Sequence, residues 1–127
     1  MKREIKFKAK RLDGKGWVEG SLIKSTTGIK ERAYIVDNFS SMSDYSVIGI
    51  DPSTVCQFTE LTDYKGNEIW EGDIVECEIY DLYKGFIKVK AVIEYMYGAF
   101  VAIIDGMPYS LYFKYIKVIG NKFDKDK

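Results

Sequence analysis

The sequence predicts an all-β protein made of two small β units packed together, and three observations carry that prediction. Short runs of aromatic and β-branched residues alternate with polar ones, as half-buried strands do. Glycine, asparagine and aspartate punctuate these runs at the close intervals of an all-β domain. No segment repeats its apolar residues with the 3.6-residue period of a long amphipathic helix. At 127 residues the chain can build one ordinary core or two small ones. The boundary is expected between residues 61 and 69, which gives an N-terminal β unit over 1–62 and a C-terminal unit over 63–127. Five strands joined by tight turns in the second unit suggest a small SH3-like barrel, because closure hides the edges that apolar strands would otherwise expose. Each unit alone is marginal in size, so Phe58, Leu61, Ile69 and Trp70 are expected to form a shared interface.

The elements follow in order. Residues 4–10 alternate Ile5, Phe7 and Ala9 with Lys6, Lys8 and Lys10, which reads as a strand with an apolar core face and a charged outer face. Asp13-Gly14-Lys15-Gly16 is turn chemistry, and 17–23 forms the return strand of a hairpin, with Trp17, Glu19 and Ser21 opposite Val18, Gly20 and Leu22. Residues 25–28 form a loop, 32–36 a strand, 37–44 a polar loop and 45–50 another strand, stopped by Asp51-Pro52. A short strand is expected at 53–58. The segment 63–68 is a tight turn in which Gly66 takes positive φ. Strands are then expected at 73–80, 86–97, 99–104, 109–113 and 116–119, with a loop at 81–85 and a turn at 105–108. The last four residues, 124–127, read as a frayed tail.

Composition removes several chemistries. The chain has no histidine, so it holds neither a Ser-His-Asp nor a Cys-His arrangement, nor an imidazole base poised near neutrality. Its two cysteines, Cys56 and Cys77, do not stand in a metal-ligand spacing. They read as buried thiols of a reducing cytoplasm, with nothing in the pattern to support a disulfide. Lys+Arg 19 balances Asp+Glu 19, so no global field favours polyanions, and balanced charge favours self-association. The charged, alternating start and the lack of a long apolar window predict a soluble cytoplasmic protein that engages no membrane.

Four blocks carry a resemblance: the first nine residues; Val55-Cys56-Gln57-Phe58-Thr59-Glu60-Leu61; Asp63-Tyr64-Lys65-Gly66-Asn67-Glu68-Ile69-Trp70-Glu71-Gly72-Asp73-Ile74-Val75; and Val118-Ile119-Gly120-Asn121. In order and spacing they resemble the YopX-like proteins, small proteins encoded mainly by phages and prophages. The resemblance implies an all-β protein of two units, the second SH3-like, and a bacterial host cell. It implies no activity and carries over no catalytic or binding residue. Glu60 departs from the family pattern, which usually has glycine there.

What remains is a weighing of functions. Asp63, Glu68, Glu71 and Asp73 are dense enough to suggest a carboxylate-based metal or acid/base site. Asp63-Tyr64-Lys65-Gly66-Asn67 nevertheless lacks the alternating ligands and closing glutamate of a calcium loop, and reads as a turn whose Asp63 and Asn67 satisfy backbone donors. Glu71-Gly72-Asp73 reads as a bend that launches a strand. No catalytic residue, cofactor site or metal ligand is assigned. The ten tyrosines crowd the second unit, where Tyr suits interfaces by joining area to a polar tip. Tyr95, Tyr97, Tyr109, Tyr112, Lys88 and Lys90 are the candidate binding residues. The leading expectation is a non-enzymatic protein-interaction module, including self-association. The alternative is a nucleic-acid-binding accessory protein using the Lys6, Lys8, Lys10 stripe or Lys88 and Lys90, and a carboxylate-based enzyme ranks last.

Overall fold

The computed structural model describes residues 4–25, 32–37, 46–111, 113 and 115–124. Eleven strands are seen among them: β1 (Phe7–Lys10), β2 (Trp17–Ser25), β3 (Arg32–Asp37), β4 (Ser46–Ile50), β5 (Cys56–Thr62), β6 (Glu68–Trp70), β7 (Asp73–Asp81), β8 (Gly85–Met96), β9 (Ala99–Ile104), β10 (Met107–Tyr109) and β11 (Ile116–Asn121). They form a six-stranded sheet in the order β4-β3-β2-β1-β5-β6 and a five-stranded sheet in the order β10-β9-β8-β7-β11. The chain divides into two compact units, Met1–Phe58 and Thr59–Lys127. Most of the loops expected at 25–28 and 37–44, and the tail from 125, lie outside the described residues.

In the first unit, β1 and β2 pair as the expected hairpin, with Phe7 opposite Gly20 and Lys10 opposite Trp17. Asp13 orders the connection: its carboxylate accepts from the Arg11 guanidinium at 2.7 and 3.1 Å and from the Lys15 N–H at 3.0 Å. Beyond Gly20, β2 pairs with β3, and β3 with β4. A bridge between Arg11 and Ile50 brings β4 back to the end of β1. Gly20 permits the change of partner, since a Cβ there would stand 2.1 Å from the Val36 carbonyl oxygen. The alternating inward residues meet in a core of Ala9, Val18, Ala33, Ile35 and Ile50.

The strand expected at 4–10 begins only at Phe7, and Ile5, expected in the core, is 59% exposed. Alternation assigns a face only while the backbone is paired, and pairing has not started at Ile5. The strand expected at 53–58 is likewise corrected. Pro52–Thr54 is one turn of 3-10 helix, N-capped by Asp51, whose Oδ1 accepts from the Ser53 N–H and hydroxyl. The strand then starts at Cys56 and runs through Thr62.

In the second unit, β7 to β10 form an up-and-down meander, and β11 returns to pair with β7. Two hairpins close on two-residue turns, Tyr97-Gly98 and Asp105-Gly106, with φ of 54° and 83°, and 50° and 79°. Positive φ at both positions matches the right-handed twist of paired strands. The turn expected at 105–108 is therefore shorter, and the last hairpin strand is Met107–Tyr109 rather than 109–113. Pro108 belongs to an edge strand, where a missing N–H need break no ladder. The core comprises Ile69, Val75, Cys77, Ala91, Ile93, Ala102, Ile104 and Ile116.

Candidate functional site

Asp63 and Asp73, the two aspartates of the 63–73 segment, are structural hubs. Asp63 is buried, and its Oδ1 accepts from the Lys65 and Asn67 N–H groups, both at 2.9 Å. Its Oδ2 accepts from the Val118 N–H at 3.0 Å and from Asn67 Nδ2 at 3.3 Å. Burial pushes this carboxyl up, but the donors of Val118, Asn67 and Lys65 outweigh burial and hold it below the ordinary aspartate value. Asp73, also buried, accepts from the Trp70 N–H at 2.8 Å and from Asn121 Nδ2 at 3.0 Å. Among the described residues no three His, Cys, Asp or Glu side chains are placed to hold a metal ion.

Lys88 and Lys90 lie on a different face of the sheet from Tyr95. On one face of the β7–β8 pair, Glu78 stands opposite Lys88 and Glu76 opposite Lys90, while Lys117 of β11 faces Glu76 from the other side. Lys88 Nζ lies 4.9 Å from the Tyr115 ring centre, and the Tyr115 hydroxyl donates to Glu76 at 3.0 Å. Burial and this hydrogen bond push the Tyr115 phenol up to about 12. Lys88 and Lys90 therefore belong to a charge-alternating ladder, not to a bare basic patch. Side-chain alternation along β8 puts Tyr95 on the opposite face from both lysines.

Tyr95 instead packs edge-to-face on Phe100, with ring centres 5.1 Å apart. Phe100 lines a groove of about 330 Å3 together with Thr59, Leu61, Ala99, Ser110 and Leu111. No lining residue is charged. The Thr59 hydroxyl is already engaged, donating to the Ile69 carbonyl at 2.7 Å and accepting from the Leu61 N–H, so Ser110 supplies the remaining side-chain hydroxyl of the lining. Tyr97, in the turn before Ala99, is 95% exposed, and Tyr109 directly precedes Ser110 in the chain. Three of the six candidates thus gather at this groove by contact or by chain neighbourhood. Tyr112 lies outside the described residues. Leu61, expected in the shared interface, is 44% exposed, whereas Phe58, Ile69 and Trp70 are buried.

In the first unit, Lys6 Nζ stands 4.8 Å from the Phe58 ring centre, and the Lys8 and Lys10 ammoniums stand 4.8 and 5.3 Å from that of Trp17. Lys6 also pairs with Glu4 and Glu19. The stripe is real, and it is interleaved with aromatic rings.

A protein-family model described as YopX protein matches residues 6–126. The chain belongs to the YopX family. No curated protein and no solved structure matches it. In this YopX chain the third and fourth of the blocks that carry the resemblance meet in space. Asp63 holds Val118, Asp73 holds Asn121, the Tyr64 N–H donates to the Ile116 carbonyl, and the Lys122 N–H donates to that of Gly72. Glu60 adopts the left-handed conformation that a glycine would, at φ 72°.

Sequence reasoning missed two features of the YopX chain. The groove residues Leu61, Ala99 and Leu111 come from separate segments, and nothing local marks them. The β7–β8 tip could have been found, because Leu82 and Tyr83 occupy a loop where polar residues are the norm. They are 85% and 95% exposed.

Proposed function

We propose that this YopX protein is a non-enzymatic protein-interaction module that binds through the groove beside Tyr95, and that its second unit is an SH3-like barrel. A meander whose fifth strand returns to the first supports the barrel reading. The observation that carries the function is the open, uncharged groove walled by Phe100, with Tyr95 stacked on that wall and Tyr97 fully displayed at positive φ. Its volume falls at the small end of ligand sites, suited to a side chain or two of a partner polypeptide. Aromatic anchors in uncharged pockets are where binding energy concentrates. Asp63 and Asp73 are occupied in holding the fold, which leaves the metal-dependent reading, built on Glu68, Glu71 and Asp73, the weakest. The family resemblance supports a phage or prophage origin and action in the bacterial cytoplasm.

The test is capture from phage-infected cells with tagged wild-type chain and a Tyr95→Ser/Leu61→Asp variant, each with and without nuclease. A protein retained by the wild type after nuclease and lost by the variant is the expected result. Recovery that collapses with nuclease favours the second reading, a nucleic-acid-binding accessory protein. That reading draws on the Lys6, Lys8 and Lys10 ammoniums over Phe58 and Trp17, which could pair with phosphates beside stacked bases. Its affinity must fall steeply with salt.

A further inference from the structure

The β7–β8 connection is a built projection. Asp81 and Gly85 close the hairpin as a pair, and Asp81 Oδ1 accepts from the Tyr83 N–H at 2.8 Å and the Lys84 N–H at 3.0 Å. Beneath them Tyr80 and Phe86 stack edge-to-face at 5.2 Å. This base and the Asp81 turn hold the loop in one shape, so Leu82 and Tyr83 are presented without support from any core. Single exposed apolar residues are ordinary, but Tyr80, Leu82, Tyr83 and Phe86 are all exposed at one hairpin end, a concentration of the kind that marks an interaction site.

We infer that the occupant of the groove is the Leu82-Tyr83 tip of a second copy of this chain, in a head-to-tail contact. The inference rests on the reading of the groove as a protein-binding site. Three observations select a second copy. The groove carries no charge and its Thr59 hydroxyl is internally engaged, so it suits an apolar insert. The tip is apolar and pre-ordered, which lowers the entropy lost on insertion. Tip and groove lie at opposite ends of β8, a strand of 12 residues that spans about 36 Å at roughly 3.3 Å per residue. A chain therefore cannot fill its own groove with its own tip. Zero net charge removes the long-range repulsion that would keep copies apart. Because tip and groove are different surfaces, two copies that engage each other reciprocally close as a two-fold dimer, and copies that do not extend into rings or open chains.

The test is sedimentation of the full chain from about 5 to 500 μM, together with a tip variant, Leu82→Ser/Tyr83→Ser, and a groove variant, Leu61→Asp. All three positions are exposed, and circular-dichroism melting verifies that each variant folds. The wild type is expected to associate with concentration, as a reciprocal dimer or a longer assembly, and each variant alone is expected to stay monomeric with affinity reduced at least tenfold. Mixing the two variants is expected to restore a complex of one copy of each, since the tip variant keeps its groove and the groove variant keeps its tip. A wild type monomeric throughout, an assembly indifferent to either variant, or a mixture that fails to pair would each overturn the inference. Capture with the tip variant separates the two readings. If that variant still retains a bacterial or phage protein through its intact groove, the interaction module survives and only self-assembly is lost.

Discussion

Asp63 is a carboxylate whose burial works against its charge and whose hydrogen bonds work for it. Burial raises its pKa, the donors of Val118, Asn67 and Lys65 lower it, and the net shift is downward. The folded value lies below the unfolded one, near 3.9. Its contribution to stability is therefore complete above about pH 5 and is lost as pH falls through the folded value. Asp63→Asn should flatten the acid limb of the stability curve below about pH 5, read by urea unfolding across pH. Asp63→Ala, which strands buried N–H groups, should cost about 3 kcal/mol at neutral pH. Glu60 poses the opposite case. An L-residue at φ 72° carries a penalty of roughly 1 kcal/mol that glycine escapes, so Glu60→Gly should raise stability by up to about that amount in thermal unfolding. An unchanged or lower melting temperature would mean that the contacts Glu60 makes outweigh its backbone strain. Tyr97, at φ 54°, belongs with it. Tyr97→Asn should also stabilise, while weakening capture at the groove.

At the scale of elements, β2 depends on one position. It passes from pairing with β1 to pairing with β3 at Gly20, where any Cβ meets the Val36 backbone. Gly20→Ala should thus separate the two strands and cost roughly 3 kcal/mol or more, at the severe end for a single substitution, in contrast to Gly14→Ala, whose Cβ meets open space. Chemical denaturation of the pair distinguishes crowding from backbone conformation. β6 carries Trp70, 4% exposed, with its N–H held by Asp73. Trp70→Ala should lower stability by about 3–5 kcal/mol. Strand pairings at Asp13-Gly14 and Asp105-Gly106 were legible in the sequence, because such turns set register locally, whereas Tyr97, expected at the end of a strand over 86–97, is a turn residue after Met96. Pro108 has the chemistry of a turn residue, yet it lies inside the strand Met107–Tyr109. Whether proline sits in a turn or on an edge strand depends on the sheet around it.

For the whole molecule, the two cysteines report on the cores. Cys56 and Cys77 are both buried thiols, one in each unit, and burial followed by the nearby Glu76 charge pushes the Cys77 thiol up. Both should stay inert to a thiol reagent in the native state and react only as the protein unfolds. Native labelling at the rate of a free thiol would show an opening that the packing does not suggest. Alternation and turn chemistry determined, from sequence alone, the all-β class, the hairpins and the structural role of Asp63 and Asp73. Those are local properties, set by residues within a few positions of one another. The groove, the charge ladder of Glu78, Lys88, Glu76, Lys90 and Lys117, and the bond from Asp63 to Val118 were decided only in the tertiary structure. Each joins residues far apart in the chain, and pairing between distant strands is fixed by which faces can be buried together, a condition no single segment contains.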